Sequence, residues 1–514
     1  MRINKRVLAA GVAVVAAAAV VGGASSHGFA NGTPPPEIGE FAGTGWPAHN
    51  YDLSNSRADL QTNINASNVA TLKQKWAFKL PYSGAFGAFT SNPIVLDNVV
   101  YFEDPDSNVY ALDESTGAVK WIHKYKSVTP SGGPNGVAFG YGLLYGATED
   151  KLFALDPSTG QQVWISKKLT TSKNEGIDMT PQLFGNKVLI STIPGSSTNF
   201  YAGNAYGKVY ALDAKTGRVD WMFSTVKGGQ KLWGNPKVNS GGGLWYPPSV
   251  DSQGRVFLGV ANPAPFPLTA KSPNGSTRPG PNLYTDSLVA LNGDTGKVLW
   301  YQQVTAHDLR DLDFQVSPIV TTINGAEAVI GAGKSGKVIA FAADTGKRLW
   351  TLNIGRHQND IGPLPKKAVT VCPGALGGVE TPMALNAGLV YVPWVDLCMK
   401  EGSTGFAGGF SFAGGKGGLA AVDSSTGKIV WSHKYPTLAV GAATIANDVV
   451  FTETYTGTIY AYNAKTGALL WSKKAPNGIN SFPAITKTML IVGAGAPASK
   501  KPLNEIIAYS LNGA

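Results

Sequence analysis

The sequence predicts an all-β fold, namely an eight-bladed β-propeller built from four-stranded antiparallel blades. Three observations predict this fold: a sequence motif that recurs seven times, the turn-forming residues of that motif, and half-repeats at the two ends of the chain. Recurrence at such intervals is typical of propellers and solenoids, in which each unit buries its apolar face against the next.

Each copy of the repeated motif begins at an alanine, continues through a polar Thr-Gly turn and ends at a tryptophan. In the first copy, residues 111–121, Asp113 can bond the backbone two residues further on and Gly117 tolerates a positive φ, so a turn joins two strands. No stretch between copies has the long helical periodicity of a βαβ unit. The unit is therefore a β-hairpin. The seven copies end at Trp121, Trp164, Trp221, Trp300, Trp350, Trp431 and Trp471.

The two ends of the chain predict how the ring closes. Residues 72–78, which include Trp76, match the strand after the turn, and residues 506–511 match the strand before it. Side by side they complete an eighth unit, and closure removes the sheet edge that would otherwise template aggregation. A seven-bladed ring is the alternative, if one of the long intervals between repeats is only a loop.

The composition agrees with one large β-domain. The chain has 514 residues, of which 63 are glycine and 15% are charged. Such a composition suits tight turns and short buried strands better than helices. We therefore expect a single propeller over residues 46–514.

The N-terminal segment predicts export. Three basic residues, Arg2, Lys5 and Arg6, precede an apolar run over residues 7–21 that small residues follow. The run is shorter than the roughly 20 residues of a membrane-spanning helix, although an uncleaved membrane anchor stays an alternative. We assign residues 1–30 to a signal peptide and residues 31–45 to a proline-rich linker. The protein is then expected in the periplasm, in the cell envelope or outside the cell.

The net charge of +10 could indicate a nucleic-acid partner. The basic residues are scattered, however, and the sequence contains neither a basic helix nor an RNA-reading motif. We therefore expect no nucleic-acid partner.

The chain has two cysteines, Cys372 and Cys398. In an oxidising compartment an isolated pair is more often a disulfide than a metal site, because a structural zinc ion needs about four ligands. The sequence also lacks the Cys-x-x-Cys-His motif that attaches haem. We expect a disulfide and no covalent haem.

Two intervals between repeats, Trp221 to Trp300 and Trp350 to Trp431, are much longer than the others. In a propeller this excess length becomes loops over one face, and loops on a rigid scaffold commonly carry the chemistry. The first interval contains Asn262 in an Asn-Pro-Ala-Pro segment. A His-Asp-x-x-Asp run, residues 307–311, follows Trp300.

These landmarks resemble the quinoprotein alcohol dehydrogenases, which are eight-bladed propellers that use pyrroloquinoline quinone (PQQ). The likeness covers essentially the whole mature chain and includes an opening Gly45-Trp46 with Asn55 and Arg57. It implies an enzyme that oxidises an alcohol or a related hydroxyl compound with PQQ and a bound calcium or lanthanide ion. Because the chain encodes no haem motif, the electrons are expected to pass to a separate acceptor such as a cytochrome.

The resemblance also implies roles for individual residues. Trp245 matches the tryptophan that forms the floor under the flat quinone, and Lys334 matches a cation near the quinone oxygens. Asp311 matches the catalytic base. Asn262, Asp311 and Asp313 are the implied metal ligands, since residues two apart in an extended segment face the same side. Asp313 stands where the lanthanide-using branch has an additional carboxylate. Cys372 and Cys398 match a cross-blade disulfide.

The sequence departs from the family pattern at several cofactor contacts. Glycines stand where many members have a vicinal disulfide, and the expected metal-binding glutamate falls near Ala202. The departing positions are Gly132, Gly133, Thr90, Asn135, Ala202 and Glu380. The losses predict either a rearranged site, in which Asp313 offsets the missing glutamate, or a non-catalytic propeller that serves as a binding or assembly scaffold in the cell envelope.

Overall fold

The computed structural model describes residues 32–81, 86–195, 201–409, 411–412, 414–498 and 503–513. Over these residues the chain forms eight sheets that each contain four consecutive antiparallel strands, which confirms the predicted eight-bladed propeller and excludes the seven-bladed alternative. The signal peptide predicted for residues 1–30 lies outside the described residues.

The blades follow one another in chain order, and the strands of each are given from first to fourth. Blade 1 contains Ile94–Leu96, Val99–Glu103, Val109–Asp113 and Val119–His123; blade 2 contains Ala138–Gly140, Leu143–Ala147, Leu152–Leu155 and Gln162–Ile165. Blade 3 contains Gln182–Phe184, Lys187–Ser191, Lys208–Asp213 and Val219–Ser224; blade 4 contains Ser249–Val250, Arg255–Gly259, Ser287–Asn292 and Val298–Gln303. Blade 5 contains Ile319–Ile323, Ala326–Ala332, Lys337–Ala342 and Arg348–Asn353; blade 6 contains Ala384–Asn386, Leu389–Asp396, Lys416–Asp423 and Ile429–Tyr435. Blade 7 contains Thr444–Ala446, Val449–Glu453, Thr458–Asn463 and Leu469–Lys474; blade 8 contains Ala484–Ile485, Met489–Ala494, Glu505–Leu511 and Leu72–Lys79.

The remaining elements are short and lie in the connections. A two-residue strand pairs in parallel with the first strand of blade 7, and two three-stranded sheets form between blades. These strands are Ala58–Asp59; Ala205–Tyr206, Ser240–Gly241 and Pro263–Ala264; and Val369–Val371, Met399–Gly402 and Gly405–Phe406. The helices are the α-helix Pro36–Glu40 and the 3₁₀ turns Val69–Thr71, Gly229–Gly234 and Pro273–Gly275. None of the helices in this part of the chain has the length and apolar character to cross a membrane.

The repeated alanine and tryptophan pair with each other in every blade. The alanine of the third strand lies directly opposite the tryptophan of the fourth, and a β-bulge adjoins this pair. The pairs are Ala111–Trp121, Ala154–Trp164, Ala211–Trp221, Ala290–Trp300, Ala340–Trp350, Ala421–Trp431, Ala461–Trp471 and Ala508–Trp76. The last pair joins the C-terminal strand to the N-terminal one, so the two half-repeats form the predicted eighth blade.

The tryptophans also hold neighbouring blades together. Trp300 of blade 4 donates its indole N–H to Ala343 O in the Thr-Gly turn of blade 5, at 2.8 Å. Gly346 of that turn has a φ of 68° and packs on the indole, since a Cβ added there would lie 2.5 Å from Trp300 Cε3. Six other tryptophans donate in the same way to the next blade: Trp76, Trp121, Trp164, Trp221, Trp350 and Trp431. Trp471 instead meets Tyr509 of blade 8 edge to face at 5.8 Å.

The hydrophobic core lies between the faces of adjacent blades. One buried cluster joins Phe451 of blade 7, Ile491 of blade 8 and Phe102 of blade 1, and it therefore runs continuously across the junction of the two chain ends. Five of the eight first strands are fully buried, whereas every fourth strand has exposed residues, so the first strand of each blade is the innermost.

Because strands alternate in direction, the Thr-Gly turns all lie on one face of the ring. The connections into the first strands, and those between the second and third strands, lie on the opposite face. The excess length of the two long intervals falls in such connections, namely residues 225–248, 260–286, 354–383 and 397–415. This arrangement confirms that the extra length builds loops over one face.

Residues 32–45 differ from the linker that their prolines predict. Proline begins the short helix Pro36–Glu40, where its missing N–H costs nothing. Glu37 is buried and its Oε1 accepts the N–H of Gly142 at 2.8 Å, while Gly185 N–H donates to Thr33 O at 2.8 Å. The segment is therefore packed on blades 2 and 3.

The contact between tryptophan and glycine predicts a difference between two glycine substitutions. We expect Gly346→Ala to lower the stability by about 1–3 kcal/mol more than Gly325→Ala, because only the first methyl group meets an indole. Gly325 is a matched control, since its φ of 79° carries similar backbone strain but a Cβ there meets no atom within 4 Å. Urea unfolding of both variants measures the difference; equal losses would show that the indole contact contributes nothing.

Candidate active site

A cavity of about 640 Å³ lies on the face that carries the long connections. Its volume is within the range of small-molecule sites. The innermost strands surround the propeller axis, so the residues that lead into them converge on this cavity. The lining residues that lead into first strands are Thr90, Gly133, Trp245, Gln315, Glu380, Val440 and Phe482.

Three of the predicted site residues meet at the side of the cavity. Lys334, in the turn between the second and third strands of blade 5, lies between the carboxylates of Asp311 and Asp313. Its ammonium donates to Asp311 Oδ2 at 2.9 Å and lies 2.6 Å from Asp313 Oδ2. The direction of the second contact is poor for a hydrogen bond, so Asp313 Oδ2 has a close counter-ion but no well-directed donor. All three side chains are at least nine-tenths buried.

The local backbone explains how Asp311 reaches the cavity. The side chain of Asp308 turns the loop by accepting the N–H groups of Arg310 at 2.9 Å and Leu312 at 2.7 Å. Asp311, between these two residues, has a φ of 67°, which is uncommon for a residue other than glycine. Such strain persists only where the surroundings impose it, and it is frequent in functional sites.

Burial and neighbouring charges shift the pKa values of Asp311 and Lys334 in opposite directions. Burial raises the pKa of Asp311 well above its ordinary value, and the ammonium of Lys334 opposes this rise. Burial lowers the pKa of Lys334, but Asp311 and Asp313 outweigh it and raise that pKa well above its ordinary value. The lysine is therefore a permanent cation of the site.

Asn262 lies beside Asp313, as a shared metal site requires. Its backbone N–H donates to Asp313 Oδ1 at 2.5 Å. Its own side-chain Oδ1 is fully buried and accepts no hydrogen bond from any described residue. A buried amide oxygen without a donor is costly, so this oxygen is well placed for a cation.

Trp245 lines the cavity together with the loop that contains Gly132 and Gly133. Gly133 touches the indole, since a Cβ there would lie 2.9 Å from Trp245 Cε3. The loop is held from two sides: Thr90 donates its hydroxyl to Gly133 O at 2.7 Å, and Asp178 accepts the N–H of Gly132 at 3.1 Å. The glycines thus let the backbone itself lie against the aromatic ring.

Two side chains of the site were not predicted from the sequence. Tyr201 donates its hydroxyl to Asp311 Oδ1 at 3.4 Å, and no sequence motif marks it. Asp286 is fully buried, and neither of its carboxylate oxygens has a hydrogen-bond partner among the described residues. Burial, followed by the charges of Asp308 and Asp313, raises the pKa of Asp286 well above its ordinary value. The region therefore holds more buried carboxyl groups, namely Asp286, Asp308, Asp311 and Asp313, than buried cations, namely Lys334, Arg278 and Arg310.

Near Ala202, the family resemblance implies a metal-binding glutamate that this sequence lacks. Near Ala202, the described side chain that lines the cavity is Tyr201. Glu175 is committed to a buried ion pair with Lys208 at 2.6 Å. Glu380 lines the cavity, accepts from the amide of Gln315 at 3.0 Å, and has a pKa that burial raises to about 7.

The predicted disulfide is confirmed: Cys372 and Cys398 are bonded, across a separation of 26 residues. The bond ties the connection between blades 5 and 6 to the long loop of blade 6. No other cysteine occurs in the sequence.

Comparison with known proteins agrees with this geometry. The model of the PQQ family, described as the glucose/ethanol/alcohol dehydrogenase β-propeller domain, matches residues 46–356, which is more than half of the chain. The chain belongs to the PQQ-dependent dehydrogenase family. A second model, that of the outer membrane protein assembly factor BamB, matches residues 393–510.

Individual relatives agree with the assignment to the PQQ-dependent dehydrogenases. The quinoprotein alcohol dehydrogenases PedE and PedH of Pseudomonas putida are 30% and 28% identical to the chain. Each alignment covers 82% of this chain, with 79% of PedE and 80% of PedH. The solved structure of the quinohemoprotein alcohol dehydrogenase from Comamonas testosteroni superposes with a TM-score of 0.77, at 24% identity, over 92% of this chain and 81% of that one. The protein is thus a PQQ-dependent oxidoreductase.

The cavity fits the quinone of this dehydrogenase family. Trp245 offers a rigid aromatic face, and the close approach of Gly133 shows a cradle that a side chain would fill. PQQ is a flat tricarboxylate, and Lys334 supplies a buried ammonium at the cavity wall.

The donor set also fits a hard cation. The described residues include no cluster of three or more His, Cys, Asp or Glu side chains arranged as a metal site. Asn262 Oδ1 and Asp313 Oδ2 nevertheless lack well-directed donors among these residues, and the backbone N–H of Asn262 contacts the other oxygen of Asp313. A cation there would take its remaining ligands from Asp311 and from the cofactor, and it would offset the excess of buried negative charge.

The loop beside Trp245 predicts a pH-dependent stability. Burial raises the pKa of Asp178 from 3.8 to about 7, although Ser131 and Gly132 donate to it. Between about pH 4 and pH 7 the folded protein therefore binds a proton that the unfolded chain has lost, so stability falls as the pH rises through this window. We expect Asp178→Asn to abolish this part of the decline and to melt at a higher temperature than the native protein at pH 8. Asp97→Asn, in an exposed turn of blade 1, controls for loss of a carboxylate. Parallel melting profiles of the native protein and Asp178→Asn would contradict the assignment.

Proposed function

We propose that this chain is an exported quinoprotein dehydrogenase that oxidises an alcohol or a related hydroxyl compound with PQQ and a bound calcium or lanthanide ion. The observation that carries the proposal is the buried pair of Asp311 and Lys334 on a cavity that also contains Trp245. A strained, buried carboxylate beside a ligand-sized cavity suits a general base.

Asp311 accepts the hydroxyl proton of the substrate in this proposal. Its two oxygens are not equivalent. Oδ2 accepts from the ammonium of Lys334 at 2.9 Å, whereas among the described residues Oδ1 has only the long contact with the hydroxyl of Tyr201 at 3.4 Å. Oδ1 therefore has the capacity to receive a substrate hydroxyl. When bound, PQQ supplies the acceptor for the hydride of the carbinol carbon.

Lys334 and Trp245 orient the reaction. The ammonium favours the ionised form of Asp311 against the effect of burial, and it retains donor capacity for an anionic oxygen of a ligand. The indole gives a flat apolar support that fixes the plane of an aromatic ring. The two side chains lie in different connections of the propeller, so the ring of blades sets the distance between them.

Asn262, Asp311 and Asp313 hold the metal ion. Amide and carboxylate oxygens are the ligands that calcium prefers, and lanthanides are similarly hard cations. Asp313 offsets the glutamate lost near Ala202, and the buried carboxyl group of Asp286, whose pKa burial and the neighbouring aspartates raise, lies in the same region. When bound, the ion would supply Lewis-acid polarisation of a carbonyl, and the side chains of Asn262, Asp311 and Asp313 would fix its position.

The electron acceptor is a separate protein such as a cytochrome, and the enzyme works outside the cytoplasm. The absence of a haem-attachment motif from the sequence supports the first point. The disulfide supports the second, because disulfides persist in oxidising compartments. In this proposal residues 1–30 direct export, and the mature propeller spans residues 46–514.

A non-catalytic scaffold in the cell envelope is the second candidate function. The match of residues 393–510 to the BamB model favours it, as does the loss of the vicinal disulfide. A scaffold, however, gains nothing from a buried carboxyl group such as that of Asp286, which lowers stability because it has no hydrogen-bond partner among the described residues.

The proposed base predicts the effect of Asp311→Asn. The amide cannot accept the substrate proton, so we expect kcat to fall by about 10²–10⁴-fold. PQQ binding, followed by quinone absorbance, is expected to persist because the amide has the same shape. Asp97→Asn, on the opposite face, is the control and keeps full activity. Alcohol-dependent dye reduction that survives in Asp311→Asn would exclude this residue as the base.

The proposed metal ligands predict the effect of Asp313→Asn. Replacing one charged ligand by a neutral one should weaken cation binding by at least about tenfold, and more for a trivalent ion. Terbium luminescence sensitised by nearby tryptophan, together with calorimetric titration of calcium and lanthanum, measures binding without turnover. Asp97→Asn again serves as the control. Unchanged affinity for all three ions would place the metal elsewhere.

A further inference from the structure

One side of the cavity above Asp311 is a continuous apolar surface. We call it the apolar wall, and it consists of Phe266, Leu376, Phe406, Phe412, Leu438 and Val440. These residues come from the long loop of blade 4, the connection between blades 5 and 6, the long loop of blade 6, and the connection between blades 6 and 7.

Aromatic contacts link the apolar wall to Asp311. Tyr201, whose hydroxyl lies 3.4 Å from Asp311 Oδ1, meets Phe266 edge to face with ring centroids 6.2 Å apart. Phe266 in turn meets Phe406 edge to face at 5.7 Å. A substrate whose hydroxyl group reaches Asp311 therefore directs its substituent along Tyr201 towards Phe266 and Phe406.

The wall is preformed and faces open space. Phe266, Phe406 and Phe412 are only half-buried, so they leave apolar area in contact with solvent that a ligand can cover. Behind them, Val395, Leu397 and Met399 are buried, and the Cys372–Cys398 bond braces the same layer. Little conformational entropy is lost when a ligand docks on such a rigid surface.

Charge is confined to the other side of the cavity. The charged side chains in its described lining are Asp311, Lys334 and Glu380, and each of them is at least nine-tenths buried. The wall therefore offers no charged partner to a polar or ionic substituent, which would lose its hydration there without compensation.

We propose that the substrate is an alcohol with a bulky apolar substituent, either an aromatic ring or an alkyl chain of several carbons, which lies on the apolar wall. This substrate class rests on the proposed dehydrogenase function of the same cavity. Methanol and ethanol cover none of the wall and are poor substrates.

The test measures kcat/KM of the reconstituted enzyme for the 1-alkanols from methanol to 1-octanol and for 2-phenylethanol. We expect kcat/KM to rise about 3- to 4-fold for each added methylene group until the wall is covered. The variant Phe406→Ala should flatten this rise, so that its kcat/KM falls at least tenfold more with 1-octanol and 2-phenylethanol than with ethanol. Ile361→Ala, an exposed apolar side chain on the same face but outside this cavity, is the matched control.

A second measurement separates the substrate class from the dehydrogenase function. Calorimetric binding of 2-phenylethanol to the protein is compared between the native chain and Phe406→Ala. Turnover with a flat profile from ethanol to 1-octanol would overturn the substrate class and leave the dehydrogenase function in place. Binding that Phe406→Ala weakens at least tenfold, without turnover of any alcohol, would support the apolar wall as the ligand site and overturn the dehydrogenase function. Neither binding nor turnover would overturn both.

Discussion

The contact between a tryptophan and the glycine turn of the next blade is the interaction on which the structure depends. It uses both properties of indole, since the N–H donates to a turn carbonyl while the ring packs on a glycine that has no side chain. Any single contact is small, but the same contact recurs around the ring and also joins Trp76 of blade 8 to blade 1. Closure of the ring in turn fixes the position of every inner strand. The connections into those strands surround the cavity. The cavity therefore exists only because the ring is closed.

The same geometry separates stability from chemistry. The tryptophan turns occupy one face, so the connections of the opposite face can be long and can carry side chains that stability alone would not favour. The two buried carboxyl oxygens of Asp286 have no partner in the described part of the chain, and Asp311 has a strained backbone. Both features lower stability, and a closed ring of eight blades tolerates them because they lie in loops outside its repeated contacts.

The repeats could be predicted from the sequence because each is local. Alanine and tryptophan lie ten residues apart in each hairpin, and the half-repeat with Trp76 fits the one with Ala508. Family resemblance implied the metal set of Asn262, Asp311 and Asp313 and the cofactor role of Lys334. In the structure Lys334 contacts both aspartates, and the backbone of Asn262 contacts Asp313. Tyr201 and Asp286 could not be predicted, because their positions depend on how loops from different blades converge and no motif records that convergence. The packing of residues 32–45 was missed for the same reason, since its contacts lie on blades that follow about a hundred residues later.

The departures from the family pattern make physical sense together rather than one by one. Where many members cover the quinone with a vicinal disulfide, this chain has glycine, and the backbone at Gly133 lies directly against Trp245. A glycine loop is flexible, so it needs an anchor to serve as a rigid cover. Thr90 and Asp178 provide that anchor, one bonding the carbonyl of Gly133 and the other the N–H of Gly132. Thr90, which stands where the resemblance implies a cofactor-contacting acid, is thus a partner of this glycine loop. Two positions that depart from the family pattern are therefore joined by a hydrogen bond, which holds the loop against Trp245.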